Sequence, residues 1–415
     1  MEVPEVDAAP GPAPVAFLRG HTSSVTALCV CGSLTASRES DHVLFSKAKS
    51  TSLPLNENAL ISGDSEGNLF IWDLNLRQIR AYQPSAHRAS VLSIEAHEKD
   101  WRQFLTYGRD GFINCWNPDS FPSFPSPRKG VTIGGGLCGG SSEMPDRQIL
   151  FRTEPNGFCR MGIFEYESLN RIVVVTTGGS NHGNILMWDA RVSATKPVRV
   201  LRAPLSRVAE QLSNDGSQEA SEMCMCLCAI REKYQILAGY ENNLLYAWDC
   251  RGSSEQILAQ IDVFRRAQPL LSIDCKAMSP QKVSGCLTEI AAGGMDGQVA
   301  FLRYNASAGR LERNACITVA HAAITELAYR PCDNRILVAG CADGCLRVLS
   351  AKPPYRKLAL LKKHRDPIRC LRFANSDALF ASGGEDMGIA LWNPYPISSV
   401  SFVENSTSNE NTTMT

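Results

Sequence analysis

The chain has 415 residues, with 42 Lys plus Arg balanced by 42 Asp plus Glu, and 44% of it is apolar. A net charge of zero supplies no field that would draw it to nucleic acid or an anionic membrane, and no apolar run reaches the length of about 18 residues that a membrane helix needs. The 16 cysteines are too spread over a long chain to read as a disulfide scaffold, and MEVPEVDAAPGPAP lacks a basic start followed by an apolar stretch, so the expectation is reduced thiols in the nucleus and cytoplasm.

In chain order, residues 1–14 read as a disordered Pro/Ala-rich start. VAFLR (15–19) is a short apolar strand. His21 then precedes SVTALCV, residues 32–57 form an inserted loop, and ISGDSEGNLFIWD (61–73) reads as strand, turn and strand. The same sentence recurs. His87 precedes SVLSIEA and LTYGRDGFINCWN (105–117). A second insertion, 118–146, is rich in Pro, Gly and Ser. GFCRMGIFEY (157–166) precedes TTGGSNHGNILMWDA (176–190), and a third insertion covers 203–221. MCMCLCAI (223–230) leads to LAGYENNLLYAWD (237–249), and LLSIDC (270–275) leads to IAAGGMDGQVAFLRY (290–304). His321 opens LVAGCADGCLRVLS (337–350), and His364 opens ASGGEDMGIALWN (381–393). The remainder, 396–415, is a Ser/Asn/Thr-rich tail that reads as disordered.

The closing positions are Trp72, Trp116, Trp188, Trp248, Leu302, Leu349 and Trp392, separated by 44, 72, 60, 54, 47 and 43 residues. The shortest gaps match the repeat of about 40–45 residues of WD40 proteins, and the longer ones are that unit plus insertions. The chain therefore looks like an all-β, seven-bladed WD40 β-propeller over residues 15–395. Its last repeat ends after three strands, so VAFLR is expected to supply the fourth and remove an open sheet edge.

The recurring polar residues have a physical reason. In WD40 blades a turn Asp orients a His, the His meets a hydroxyl, and the hydroxyl meets the Trp N–H, so each buried polar group has a partner. The expected spacing is Ser/Thr, Asp four later, Trp six after that. His364, Ser382, Asp386 and Trp392 fit it. So do His87, Thr106, Asp110 and Trp116. His21, Ser62 and Trp72 fit, with Glu66 standing where Asp is expected. Ala292 and Ala339 replace the hydroxyl and Leu302 and Leu349 the Trp, so those blades are expected to rely on apolar packing alone. These histidines read as structural, because the repeat explains them without a nucleophile or metal beside them.

Three other motifs fail on context. Gly63-Asp64-Ser65-Glu66-Gly67 matches G-x-S-x-G, but a nucleophile elbow needs a strand-to-helix turn and NLFIWD is a strand. Gly134, Gly136 and Gly139 have the spacing of a dinucleotide fingerprint, with no apolar helix after them. Cys224, Cys226 and Cys228 alternate along one strand, without a C-x-x-C pair or an identifiable fourth ligand for zinc. No catalytic, cofactor-binding or metal residue is therefore expected, and no small-molecule substrate. Phe121 and Phe124, set among prolines in the second insertion, are the candidate partner anchors, and the two insertions 32–57 and 118–146 are expected on one rim.

FLRGHTSSVTALCVCG, LISGDSEGNLFIWDL, the Asn156-Gly157-Phe158-Cys159-Arg160 entry to the third blade, and MCMCL with LAGYENNLLYAWD resemble the G-protein-β-subunit-like family that includes the ASTRA-associated WD-repeat protein. The resemblance covers nearly the whole propeller, and the insertions depart from it in length. It implies a non-enzymatic scaffold subunit, with protein partners in an ASTRA-like, chromatin-linked assembly or in the TTT co-chaperone machinery that matures phosphatidylinositol-3-kinase-related kinases. Two other classes share the fold. One is a ubiquitin-ligase substrate receptor or histone-reading propeller. The other is a G-protein-β-like signalling subunit, which would carry an N-terminal helix that the Pro/Ala-rich start does not offer.

Overall fold

The computed structural model describes residues 11–32, 58–96, 103–121, 147–154, 157–168, 171–178, 182–203, 222–251, 256–276, 287–374 and 378–396. Most of the three insertions, Phe124, the glycines at 134–139, and the segments 1–10 and 397–415 lie outside them.

Among the described residues the chain forms 28 strands in seven four-stranded antiparallel sheets. Strand β1 is Ala16–Arg19. Blade one is β2 (Val25–Gly32), β3 (Asn58–Asp64), β4 (Leu69–Asp73) and β5 (Gln78–Gln83). Blade two is β6 (Val91–Ala96), β7 (Phe104–Gly108), β8 (Phe112–Trp116) and β9 (Arg147–Arg152). Blade three is β10 (Gly162–Ser168), β11 (Arg171–Thr177), β12 (Ile185–Asp189) and β13 (Arg199–Leu201). Blade four is β14 (Cys224–Ile230), β15 (Gln235–Tyr240), β16 (Leu244–Asp249) and β17 (Gln256–Asp262). Blade five is β18 (Leu270–Cys275), β19 (Leu287–Gly294), β20 (Gln298–Asn305) and β21 (Arg310–Thr318). Blade six is β22 (Ile324–Tyr329), β23 (Ile336–Cys341), β24 (Cys345–Ser350) and β25 (Lys357–Lys362). Blade seven has β26 (Ile368–Phe373), β27 (Phe380–Gly384) and β28 (Gly388–Trp392), and its outer strand is β1, with Ala16 opposite Leu391 and Arg19 opposite Gly388. No helix among the described residues is long and apolar enough to cross a membrane.

Closure by β1 follows from the alternation of its side chains. Ala16 and Leu18 face inward and are buried with Val25, Leu28, Ile389 and Leu391. One face of the four-residue strand thus joins blade seven to blade one, and its backbone covers the edge of β28, which would otherwise carry unpaired N–H and C=O groups.

The inner strands share a further device. In β2, β6, β14, β18, β22 and β26 the register slips by one residue near the start. A bulge of this kind re-aims the extra residue. The residues inserted are Thr26, Leu92, Met225, Leu271, Thr325 and Arg369, and all of them line the central channel. The residue after the bulge often pairs with a glycine of the second strand, because the next blade comes too close for a side chain. A Cβ at Gly383 would stand 2.7 Å from Val25 Cγ1, and one at Gly340 would stand 2.7 Å from Ile368 Cγ2. Glycine at these places sets the spacing between blades.

Candidate interaction surface and central channel

Three blades carry a complete polar lock. In blade two, His87 Nδ1 lies 3.0 Å from Asp110 Oδ1, His87 Nε2 lies 2.7 Å from Thr106 Oγ1, and Trp116 Nε1 donates to the same oxygen at 2.7 Å. In blade seven, His364 Nδ1 lies 2.8 Å from Asp386 Oδ1, and Ser382 Oγ lies 2.9 Å from both His364 Nε2 and Trp392 Nε1. The carboxylate accepts only, so Nδ1 carries the proton and Nε2 is left as acceptor for the hydroxyl, which in turn accepts from the indole. Every donor has a destination.

Blade one has the same lock with a different acid. His21 Nδ1 meets Asp64 Oδ2 at 3.0 Å, His21 Nε2 meets Ser62 Oγ at 2.7 Å, and Trp72 Nε1 donates to Ser62 Oγ at 2.7 Å. Asp64 stands two residues after Ser62, on the same face of β3, because side chains two apart along a strand share a face. It also accepts from the backbone N–H groups of Glu66 and Asn68 and from the Asn68 amide. Glu66 is exposed in the turn and takes no part through its side chain in these bonds. Burial would push the Asp64 carboxyl up, but the His21 and Asn68 hydrogen bonds outweigh it and hold it below the usual range. Burial lowers the His21 pKa despite the Asp64 carboxylate.

The remaining blades do not rely on apolar packing alone. Thr176 Oγ1 accepts from Trp188 Nε1 at 3.0 Å in blade three. Gln268 takes the place of histidine in blade five, exchanging two hydrogen bonds with Asp296 at 2.8 and 2.9 Å. Asn243 exchanges two with the Phe264 backbone at 2.9 Å each. In blade six His321 is exposed, and Asp343 is held instead by an Arg347 fork at 3.1 and 2.7 Å. Spacing arguments tuned to His and Trp pass over these amide and guanidinium substitutes. In blade four, where Ala238 stands ten residues before Trp248, the buried Trp248 indole N–H has no hydrogen-bond partner among the described residues.

The expected partner anchor Phe121 is a correction. It follows a 3-10 turn, Pro118–Ser120, and is 6% exposed, packed 5.8 Å from the Phe104 ring and 5.6 Å from the Trp116 ring. A side chain spent on the core between blades one and two cannot dock a partner. Proline neighbours suggested a loop, but Phe121 comes only five residues after a core Trp and within reach of it. Ser65 sits in the hairpin turn between β3 and β4, with its N–H on Ser24 O at 2.9 Å, and is no nucleophile elbow. The alternating cysteines of β14 do not converge either: the bulge after Cys224 turns it away from the other two, and Cys226 and Cys228, still on one face, meet different residues of β18. Cys224 lies buried beside Cys159, Cys226 Sγ points to Leu270 O, and Cys228 Sγ lies 3.5 Å from Cys275 Sγ.

The strand ends that bracket residues 33–57 and 122–146 join first to second and third to fourth strands, so in an up-and-down meander they open on one face. The ends of β13 and β14 that bracket 204–221 are a fourth-to-first junction and open on the other face. That second face also carries the hairpin turns and the mouth of the channel.

The channel is a cavity of about 1100 Å³. Two ion pairs bridge non-adjacent blades inside it: Arg160 with Glu326, and Arg372 with Glu95 at 3.1 Å. Burial pushes the Glu326 carboxyl up despite both arginines, and burial raises Asp274 to about 6. The GFCR stretch becomes intelligible here. Cys159 is buried, Arg160 reaches across the channel, and Phe158 is 53% exposed at its mouth with the Arg109 guanidinium 4.4 Å over its ring. Exposed Phe158 was not evident beforehand, because nothing in local spacing says which residue before a strand faces out.

Comparison with known proteins agrees with this architecture. The WD domain, G-beta repeat profile matches residues 314–350 and 355–393, each match running from an outer strand through three strands of the next blade. That offset is why the last blade needs β1. Guanine nucleotide-binding protein subunit beta-like protein 1 of Mus musculus is 24% identical over 390 residues, covering 93% of this chain and 98% of its own length. ASTRA-associated protein 1 of Verticillium alfalfae is 24% identical over 90% of this chain and 82% of its own length, and that of Schizosaccharomyces japonicus is 24% identical over 92% and 99%. The chain is a seven-bladed WD40-repeat propeller, similar along nearly its whole length to the Gβ-like and ASTRA-associated proteins.

Proposed function

We propose that this propeller is a non-enzymatic scaffold subunit of an ASTRA-like assembly, acting with TTT-type co-chaperones in the maturation of phosphatidylinositol-3-kinase-related kinases in the nucleus and cytoplasm. The observation that carries the reading is similarity to two ASTRA-associated proteins across at least 90% of the chain, rather than across one repeat. A rigid propeller suits the role, since preformed surfaces lose little entropy when they bind. The hairpin-turn face offers an anchor of the kind found at interface hot spots, an exposed aromatic stacked by an arginine: Phe158 with Arg109.

The test is affinity purification of the tagged full-length chain from its own cells, with the recovered proteins identified by mass spectrometry. Kinase-maturation and ASTRA subunits are expected in near-stoichiometric amounts, and Phe158→Ala should reduce their recovery without moving the melting temperature. Recovery of a cullin-type ligase, of histones alone, or of a Gγ-like subunit would overturn the proposal in favour of the corresponding class.

A further inference from the structure

Cys228, Asp274 and Cys275 stand at the channel end of the inner strands of blades four and five. Cys228 is two residues from the end of β14, and Cys275 closes β18. Their two sulfurs and the Asp274 carboxylate oxygen all lie within 4.8 Å of one another, and all three residues are half-buried. Asp274 accepts the Tyr329 N–H at 2.7 Å through Oδ2, a contact that orients the carboxylate. Cys228 and Asp274 also line the central channel, so the cluster is reachable by solvent ions.

We propose that Cys228, Cys275 and Asp274 form a zinc site bridging blades four and five, with the fourth position open to channel water. Two Zn–S bonds of about 2.3 Å at a tetrahedral angle place the sulfurs about 3.8 Å apart. Here they are 3.5 Å apart, so small side-chain movements would complete the geometry. The donor set selects the metal. Two thiolates disfavour magnesium and calcium, which prefer oxygen, whereas a carboxylate disfavours copper(I), which leaves the borderline zinc ion. Three protein ligands and one open position are an arrangement zinc adopts readily. The site tethers adjacent blades at the end of the channel, on the face from which the segments 33–57 and 122–146 branch.

The test uses the reduced full-length protein and Co²⁺, a spectroscopic stand-in for Zn²⁺. One equivalent should produce a sulfur-to-cobalt charge-transfer band with tetrahedral d–d bands, and one equivalent of Zn²⁺ should abolish both. Cys228→Ala and Cys275→Ala should each lose the bands of the two-thiolate site. Asp274→Asn should weaken Co²⁺ binding while keeping charge transfer. Cys316→Ala, at an exposed cysteine remote from the cluster, should change nothing. Far-ultraviolet circular dichroism checks that the variants fold. Absence of the bands in the parent protein, or their persistence in the Cys228→Ala/Cys275→Ala double variant, would overturn the proposal. So would quantitative formation of a Cys228–Cys275 disulfide in place of metal uptake under reducing conditions.

Discussion

At the scale of single residues, the polar locks show how a buried hydrogen-bond chain tolerates a change of address. Blade one keeps its lock although its acid is displaced by two positions, because Asp64 approaches His21 from the same strand that carries Ser62. Asp64→Ala should therefore destabilise the protein by about 1–3 kcal/mol, the cost of leaving buried donors unpaired, whereas Glu66→Ala should lie within about 0.5 kcal/mol of the parent. Denaturant titration of both variants checks the order. The same lock makes blade one sensitive to acid. His21 has a folded pKa below its unfolded value of 6.5, so its contribution is full above that pH and is lost as pH falls. Asp64 is also depressed, from 3.8, and its contribution disappears lower still. The melting temperature should drop from pH 7 to pH 5, and His21→Gln should flatten that slope even though it lowers stability at pH 7.

At the scale of elements, β1 and the start of the second insertion carry the consequences. Deleting residues 1–20 removes β1, exposes the edge of β28 and uncovers the apolar cluster around Leu18. The melting temperature should fall sharply and aggregation should rise, while deleting 1–10 leaves β1 in place and should change little. Equal melting of the two truncations would reject closure as a stabilising device. The second insertion divides in the same way. Replacing 122–146 with a short Gly-Ser linker should preserve the fold. Extending the replacement to 118–146 removes Phe121 from between Phe104 and Trp116 and should cost about 3–5 kcal/mol, the usual range for losing a buried aromatic. Calorimetry of the two variants separates these outcomes.

At the scale of the whole molecule, seven sheets form a ring only if each pair of neighbours approaches closely. The junction of blades seven and one is the place where the first strand, β1, meets the last, β28. There Val25 packs against Gly383, with 2.7 Å between Val25 Cγ1 and the position a Cβ would occupy. Gly383→Ala should destabilise by about 1–3 kcal/mol through overpacking, visible as a lower denaturant midpoint. Val25→Ala in the same chain should recover part of the loss, since it removes Val25 Cγ1 but leaves Cys370 Sγ, which also stands 2.7 Å from the added Cβ.

The sequence by itself determined the repeat, the number of blades and the need for an outer strand from the N-terminal side. Each rests on local periodicity: a hydroxyl ten residues before a Trp, a turn between them, and a last unit one strand short. The positions of most blade-locking residues were legible for the same reason. Only the tertiary structure decided what depends on distances between blades or on bulges. It assigned the acid of blade one to Asp64, placed Phe121 in the core, and gave the turns of the other blades substitute polar contacts through Gln268, Asn243 and Arg347. It also parted the β14 cysteines and brought Cys228 to Asp274 and Cys275, 46 and 47 residues away along the chain. A repeat shows each strand's own face, but which residue of one blade meets which residue of the next follows from ring closure, and no spacing within a single repeat encodes it.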